Sequence, residues 1–169
     1  AAAARAGVAY NILNDGGITA LSSTGILIDA TTVTGNVTNN GLIAATDGNG
    51  IVVALGSTVT GNITNSATGV IGALSQGIAI DGILTGTLTN AGLIDPSTGI
   101  SVTGTVTGGI VNSGTILATV TGIDLAGANA AHTITQTAGL IRGRTANNLT
   151  TMVALDLDPR QAHVRLACR

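Results

Sequence analysis

Two carboxylates occupy matching places in a repeated phrase: Asp29 closes GILID, which begins at Gly25, and Asp81 closes the related GIAID, which begins at Gly77. Glycoside hydrolysis uses a pair of carboxylates about 5 to 10 Å apart across a cleft. If the phrases stack as neighbouring turns of a coil, two turns would separate Asp29 from Asp81 by roughly 9 to 10 Å. The rest of that chemistry is missing. The sequence has no Trp or Phe on which a sugar could stack, and no Lys or Arg between Arg5 and Arg142 to serve as a lyase base. Asp29 and Asp81 are therefore expected to be solvated residues at strand ends, and no catalytic residue is assigned. The chain is read as a non-enzyme.

Metal and cofactor chemistry finds no better footing. The stretch TDGNG at 46–50 carries one carboxylate, Asp47, whereas a hard cation wants six or more oxygens, so the stretch reads as a turn. The glycine-rich calcium nonapeptide of β-rolls does not occur. His132 and His163 stand far apart with no Cys or acidic cluster beside either, and His132 is expected to be a packed or half-exposed residue near an end of the fold. The single Cys168 has no partner for an internal disulfide. No metal site and no cofactor is expected.

These residues are carried on a repeat. An apolar residue, any residue, Asn, a small or polar residue and Gly, then an apolar pair recurs at Asn14, Asn39, Asn65, Asn90 and Asn112, and with Gln in place of Asn at Gln136. The steps between these anchors are 25, 26, 25, 22 and 24 residues. A second phrase, Gly-Ile followed by alternating apolar positions, begins at Gly25, Gly50, Gly77, Gly99 and Gly122. Its distance to the following anchor is nearly constant, so length variation falls in the other arc, at residues 44–49 and 72–76, where loops are expected.

Counting back from each anchor fixes parity. Two residues before it stand Ile12, Val37, Ile63, Leu88, Ile110 and Ile134; six before stand Val8, Val33, Val59, Leu84, Val106 and Ala130. Between these levels lie Gly35, Gly61, Gly86 and Gly108, with Tyr10 and His132 in the end coils. Period two with one apolar face is strand periodicity, and the glycines are expected to face inward, where they let the sheet bend or opposing walls approach. The anchor amides share that inward parity. A column of them, Asn14, Asn39, Asn65, Asn90, Asn112 and Gln136, is expected to hydrogen-bond along the stack and to satisfy turn backbone groups. The outward positions are mostly hydroxyl or amide: Thr32 and Thr34 with Asn36, Thr58 and Thr60 with Asn62, Thr85 and Thr87, Thr105 and Thr107. Stacked, they form rows about 4.8 Å apart and make a candidate binding face.

Composition agrees. Hydrophobic residues are 44% and charged residues 8%, all six basic residues are Arg and all eight acidic ones Asp. Helix formers are scarce, while Val, Ile and Thr suit a pleated surface. The expected fold is all-β: a right-handed parallel β-helix of about six coils with 22 to 26 residues each. The coils occupy residues 1–143, and residues 144–169 form a C-terminal cap, a linker or a non-native tail. A β-sandwich would need hairpins and no fixed coil length, and a leucine-rich repeat would need a helical half. A body with no basic side chain excludes nucleic-acid binding, and no apolar run is long enough to insert in a membrane as a helix. The opening AAAARAG reads either as the remnant of a small-residue cleavage site or as an ordinary chain end.

The phrases TVTGNVTNNGLI and TAGLIRG, with their counterparts across residues 7 to 143, resemble passenger domains of Gram-negative autotransporters and related surface adhesins. That resemblance implies a secreted or cell-surface location and a role in adhesion, self-association or biofilm. The chain departs from the pattern in having neither the membrane barrel nor the helix that threads it, and residues 144–169 do not match passenger repeats, so it reads either as a fragment or as a freestanding relative. The expected partners are further copies of the chain or cell-surface ligands. The rows of outward threonine also resemble the ice-binding face of β-helical antifreeze proteins, which implies ice binding as an alternative.

Overall fold

The computed structural model describes residues 10–147 and 155–157. The first coil holds β1 (Ile12–Asn14), β2 (Gly17–Ala20), β3 (Ile26–Ile28) and β4 (Thr32–Val33). The second holds β5 (Val37–Asn39), β6 (Leu42–Ala45), β7 (Ile51–Val53) and β8 (Thr58–Val59), and the third β9 (Ile63–Asn65), β10 (Val70–Ala73), β11 (Gln76–Ile80) and β12 (Ile83–Leu84). In the fourth lie β13 (Leu88–Asn90), β14 (Leu93–Asp95), β15 (Thr98–Val102) and β16 (Thr105–Val106). The last coils hold β17 (Ile110–Asn112), β18 (Thr115–Leu125), β19 (Ile134–Gln136) and β20 (Leu140–Asn147), with β21 (Leu155–Leu157) beyond them. Every strand pairing is parallel and joins equivalent strands of successive coils. The fold is an all-β solenoid with five complete turns between its six anchor corners.

Four walls result. The anchor wall runs β1-β5-β9-β13-β17-β19-β21, and the short wall runs β4-β8-β12-β16. The other two, one starting at β2 and one at β3, are columns of a single ten-stranded sheet that meet in β18, which β20 pairs in turn. The arc between those two columns shortens along the stack: it spans 21–25 and 46–50 in the first coils, then 74–75 and 96–97, and it vanishes where β18 runs unbroken through both columns. The length variation expected in this arc is thus graded.

Inward parity packs the interior. Val37, Ile63, Leu88 and Ile110 of the anchor wall, Ile43, Ile71, Ile94 and Ile116 of the β2 column, and Val33, Val59 and Leu84 of the short wall are all fully buried. They form one continuous core. No coil encloses it alone, so stability is shared between neighbours. Truncating Leu88 to Ala in such packing costs about 2 to 5 kcal/mol.

The glycine level differs from expectation. Residues 32–38 do not form one strand: β4 ends at Val33, β5 begins at Val37, and the chain bends at Gly35 between them. A Cβ on Gly61 would sit 2.5 Å from the Gly35 carbonyl oxygen, and one on Gly86 would sit 2.3 Å from that of Gly61. These glycines face along the axis into the backbone of the preceding coil. The expectation that they face inward and admit an opposing wall is corrected: they permit the bend and the stacking of one bend on the next. His132, at the same level, is packed at 2% exposure with Nδ1 3.2 Å from the Val106 carbonyl.

Candidate functional site

Each anchor closes a strand of the anchor wall just before a tight corner, and parity turns its side chain inward. The amides then meet in a single file. Asn14 Nδ2 donates to Asn39 Oδ1 at 2.7 Å, Asn39 to Asn65 at 2.8 Å, Asn65 to Asn90 at 2.8 Å and Asn90 to Asn112 at 2.7 Å. Asn112 closes the file by donating to Gln136 Oε1 at 2.9 Å. The four middle asparagines are fully buried. The second Nδ2 hydrogen also finds an acceptor at the corner, the carbonyl of Gly41 for Asn39 (3.0 Å) and of Gly114 for Asn112 (3.1 Å). The expected amide column is present, and both of its expected tasks are visible.

The file runs one way, every donor pointing to the next coil. The outermost described members also bond the local backbone. Gly16 N–H donates to Asn14 Oδ1 at 3.3 Å, and Gln136 Nε2 donates to the Ala138 carbonyl. In β21 the register places Leu157 beside Gln136, and an aliphatic residue there cannot extend the file.

A second amide column lies outside. Asn36 N–H donates to Asn11 Oδ1 (2.9 Å), Asn62 N–H to Asn36 Oδ1 (2.8 Å) and Thr87 N–H to Asn62 Oδ1 (2.8 Å). It caps backbone donors at the glycine bend, which the gap between β4 and β5 leaves without a ladder partner. The sequence signal was present in Asn11, Asn36 and Asn62 at coil spacing, each three residues before an anchor.

The outward threonines divide between different surfaces. Thr32, Thr58 and Thr105 belong to the short wall, in one row broken by Ile83. Thr34, Thr60, Thr85 and Thr107 follow that wall at the entrance to the bend, and Thr87 occupies the bend in the level of the outer amides. Thr85 Oγ1 is engaged with the Thr60 carbonyl at 2.7 Å, and Thr87 Oγ1 with that of Gly108 at 3.3 Å. The rows are outward as expected, on strands two residues wide rather than on one broad face.

Opposite in character is the β2 column. Its outward positions run Gly17, Leu42, Val70, Leu93, Thr115 and Leu140 in one file. Leu42 and Leu140 keep 45% and 41% of their surface in water. The adjacent outward file runs Thr19, Ala44, Gly72 and Asp95, and one residue past the Ile94–Ile116 pair it continues to Leu117 and then Arg142.

The remaining residues stay dispersed. Asp29 is exposed and Asp81 half-buried at equivalent ends of β3 and β11, with Ala54 in the coil between; Thr103 Oγ1 donates to Asp81 Oδ1 at 2.7 Å. Thr46 and Asp47 form a turn, and Asn49 Oδ1 accepts from Gln76 N–H at 3.0 Å. Among the described residues no three His, Cys, Asp or Glu side chains gather as metal ligands, and no helix is long and apolar enough to cross a membrane. Val8, His163, Cys168 and most of 144–169 lie outside the described residues. Compared with protein families, curated proteins and solved structures, the chain matches none.

Proposed function

We propose that this chain is an extracellular or cell-surface structural module whose walls adhere to further copies of itself or to surface ligands. The observation that supports the reading is the β2 column, whose outward file sets Leu42, Val70 and Leu93 in adjacent coils and, past Thr115, Leu140, on a solenoid held in register from within by the amide file. Leu42 and Leu140 are exposed and Val70 and Leu93 half-buried, and aliphatic side chains aligned in register on a surface favour a contact that covers them. Low charge favours the same behaviour, because little repulsion opposes contact. The test is concentration-dependent sizing of the chain together with its retention on bacterial and abiotic surfaces. Association or retention is expected; a strict monomer that binds neither itself nor any surface overturns the reading.

Ice binding is the second reading. It draws on the aligned hydroxyls of Thr32, Thr58 and Thr105 beside those of Thr34, Thr60 and Thr107. Thermal hysteresis tests it directly, and failure to shape growing ice ends it.

A further inference from the structure

The outward face of the β2 column carries two opposite charges with a fixed relation to each other. In its second file Asp95, Leu117 and Arg142 are register neighbours in successive coils, since β14 pairs with β18 through Ile94 and Ile116, and Leu117 pairs with Arg142. Their inward neighbours Ile94, Ile116 and Ala118 are buried and Ile141 packs against the core, so these three point away from it. Asp95 and Arg142 are both exposed. They stand two strand spacings apart, about 9.5 Å, too far to pair with each other, and among the described residues neither makes an ion pair. Beside them Leu93, Thr115 and Leu140 form the aliphatic file at the same three levels.

From this symmetry about Leu117 we infer that the face is self-complementary toward a second copy of the chain, packed antiparallel about a two-fold axis at the level of Leu117. This rests on the self-association reading above and specifies its surface. Such a two-fold keeps each file opposite itself and reverses the order of coils. Arg142 then meets Asp95 of the second copy, and the reciprocal pair forms as well. Leu93 meets the other Leu140, and Leu117 and Thr115 meet their own counterparts. A parallel arrangement in register would instead set Arg142 on Arg142 and Asp95 on Asp95, so charge selects the antiparallel one. The three levels named are a few residues wide and by themselves fall below the roughly 1,200 Å² of a standard interface. The contact is therefore weak, salt-sensitive and rapidly exchanging in solution, and it gains strength where many copies are held close together on one surface.

Charge exchange tests this with sedimentation equilibrium of the full chain, circular dichroism showing that each variant keeps its β structure. Wild type is expected to dimerise reversibly and less so with added salt. Asp95→Arg alone sets Arg against Arg, and Arg142→Asp alone sets Asp against Asp. Each is expected to weaken association by about tenfold or more. An equimolar mixture of the two single variants restores it, because both ion pairs re-form only between unlike copies, and the double variant associates as wild type does. Single variants that dimerise as tightly as wild type overturn this contact while self-association through another surface stands. A wild type that remains monomeric at every concentration overturns both.

Discussion

The solenoid contains two columns of asparagine with the same coil spacing and different consequences. In the inner column each amide bonds the next amide and the middle members are fully buried. In the outer column each carbonyl accepts a backbone N–H of the next coil, and the amides Asn11, Asn36 and Asn62 remain exposed. What separates them is access to water. A hydrogen bond whose partners can turn to solvent contributes little net, whereas a buried donor or acceptor deprived of its partner bears the full desolvation penalty. The inner column is expected to hold the coils in register, and the outer one to tidy a bend.

The largest expected effect is at the inner column. Asn65→Ala strands the donor of Asn39 and the acceptor of Asn90 in the interior, and is expected to cost about 4 kcal/mol in urea unfolding. A loss under about 1 kcal/mol would erase the distinction between the columns. Next comes the bend on which the outer column rests. Gly61→Ala drives a Cβ to 2.5 Å from the Gly35 carbonyl oxygen, and the forced separation of coils is expected to cost about 2 kcal/mol. Asn62→Ala, which only hands the Thr87 N–H to water, should cost about 0.5 to 1 kcal/mol in the same assay. The comparison is sharpened by double-mutant cycles. Asn39 with Asn65 should couple by about 1 to 2 kcal/mol, while Asn36 with Asn62, whose side chains do not bond each other, should be additive within about 0.5 kcal/mol.

Much of this arrangement is legible in the sequence. The anchors, the buried Val and Ile levels and the inner amide column follow from parity and spacing, because every coil repeats the same choice of residue at the same place. The role of Gly61 was not legible. Periodicity tells which side of a strand a residue takes, and a glycine at a bend has no side of its own; its constraint comes from the coil beneath. The outer column is hidden from parity for a related reason. Asn36 and Asn62 read as ordinary outward polar residues until the gap between β4 and β5 exposed backbone donors that needed them. The fusion of two columns in β18 was likewise hidden, since a shortened arc in sequence does not announce that its flanking strands have become one. The proposed pairing of Asp95 with Arg142 across a two-fold depends on two residues a coil apart on either side of Leu117, and a repeat-by-repeat reading looks past such singular charges.

The one-way file of inner amides bears on how such a chain changes length. Each coil offers the coil before it an acceptor and the coil after it a donor, so any two coils meet as compatible neighbours. Excision of residues 40–65 would bring Asn39 against Asn90, the same junction in a shorter rod, and an in-frame duplication of that segment would lengthen the rod without a new kind of joint. Unequal exchange between repeats of the coding sequence can therefore alter reach in steps of one coil without changing how one coil meets the next.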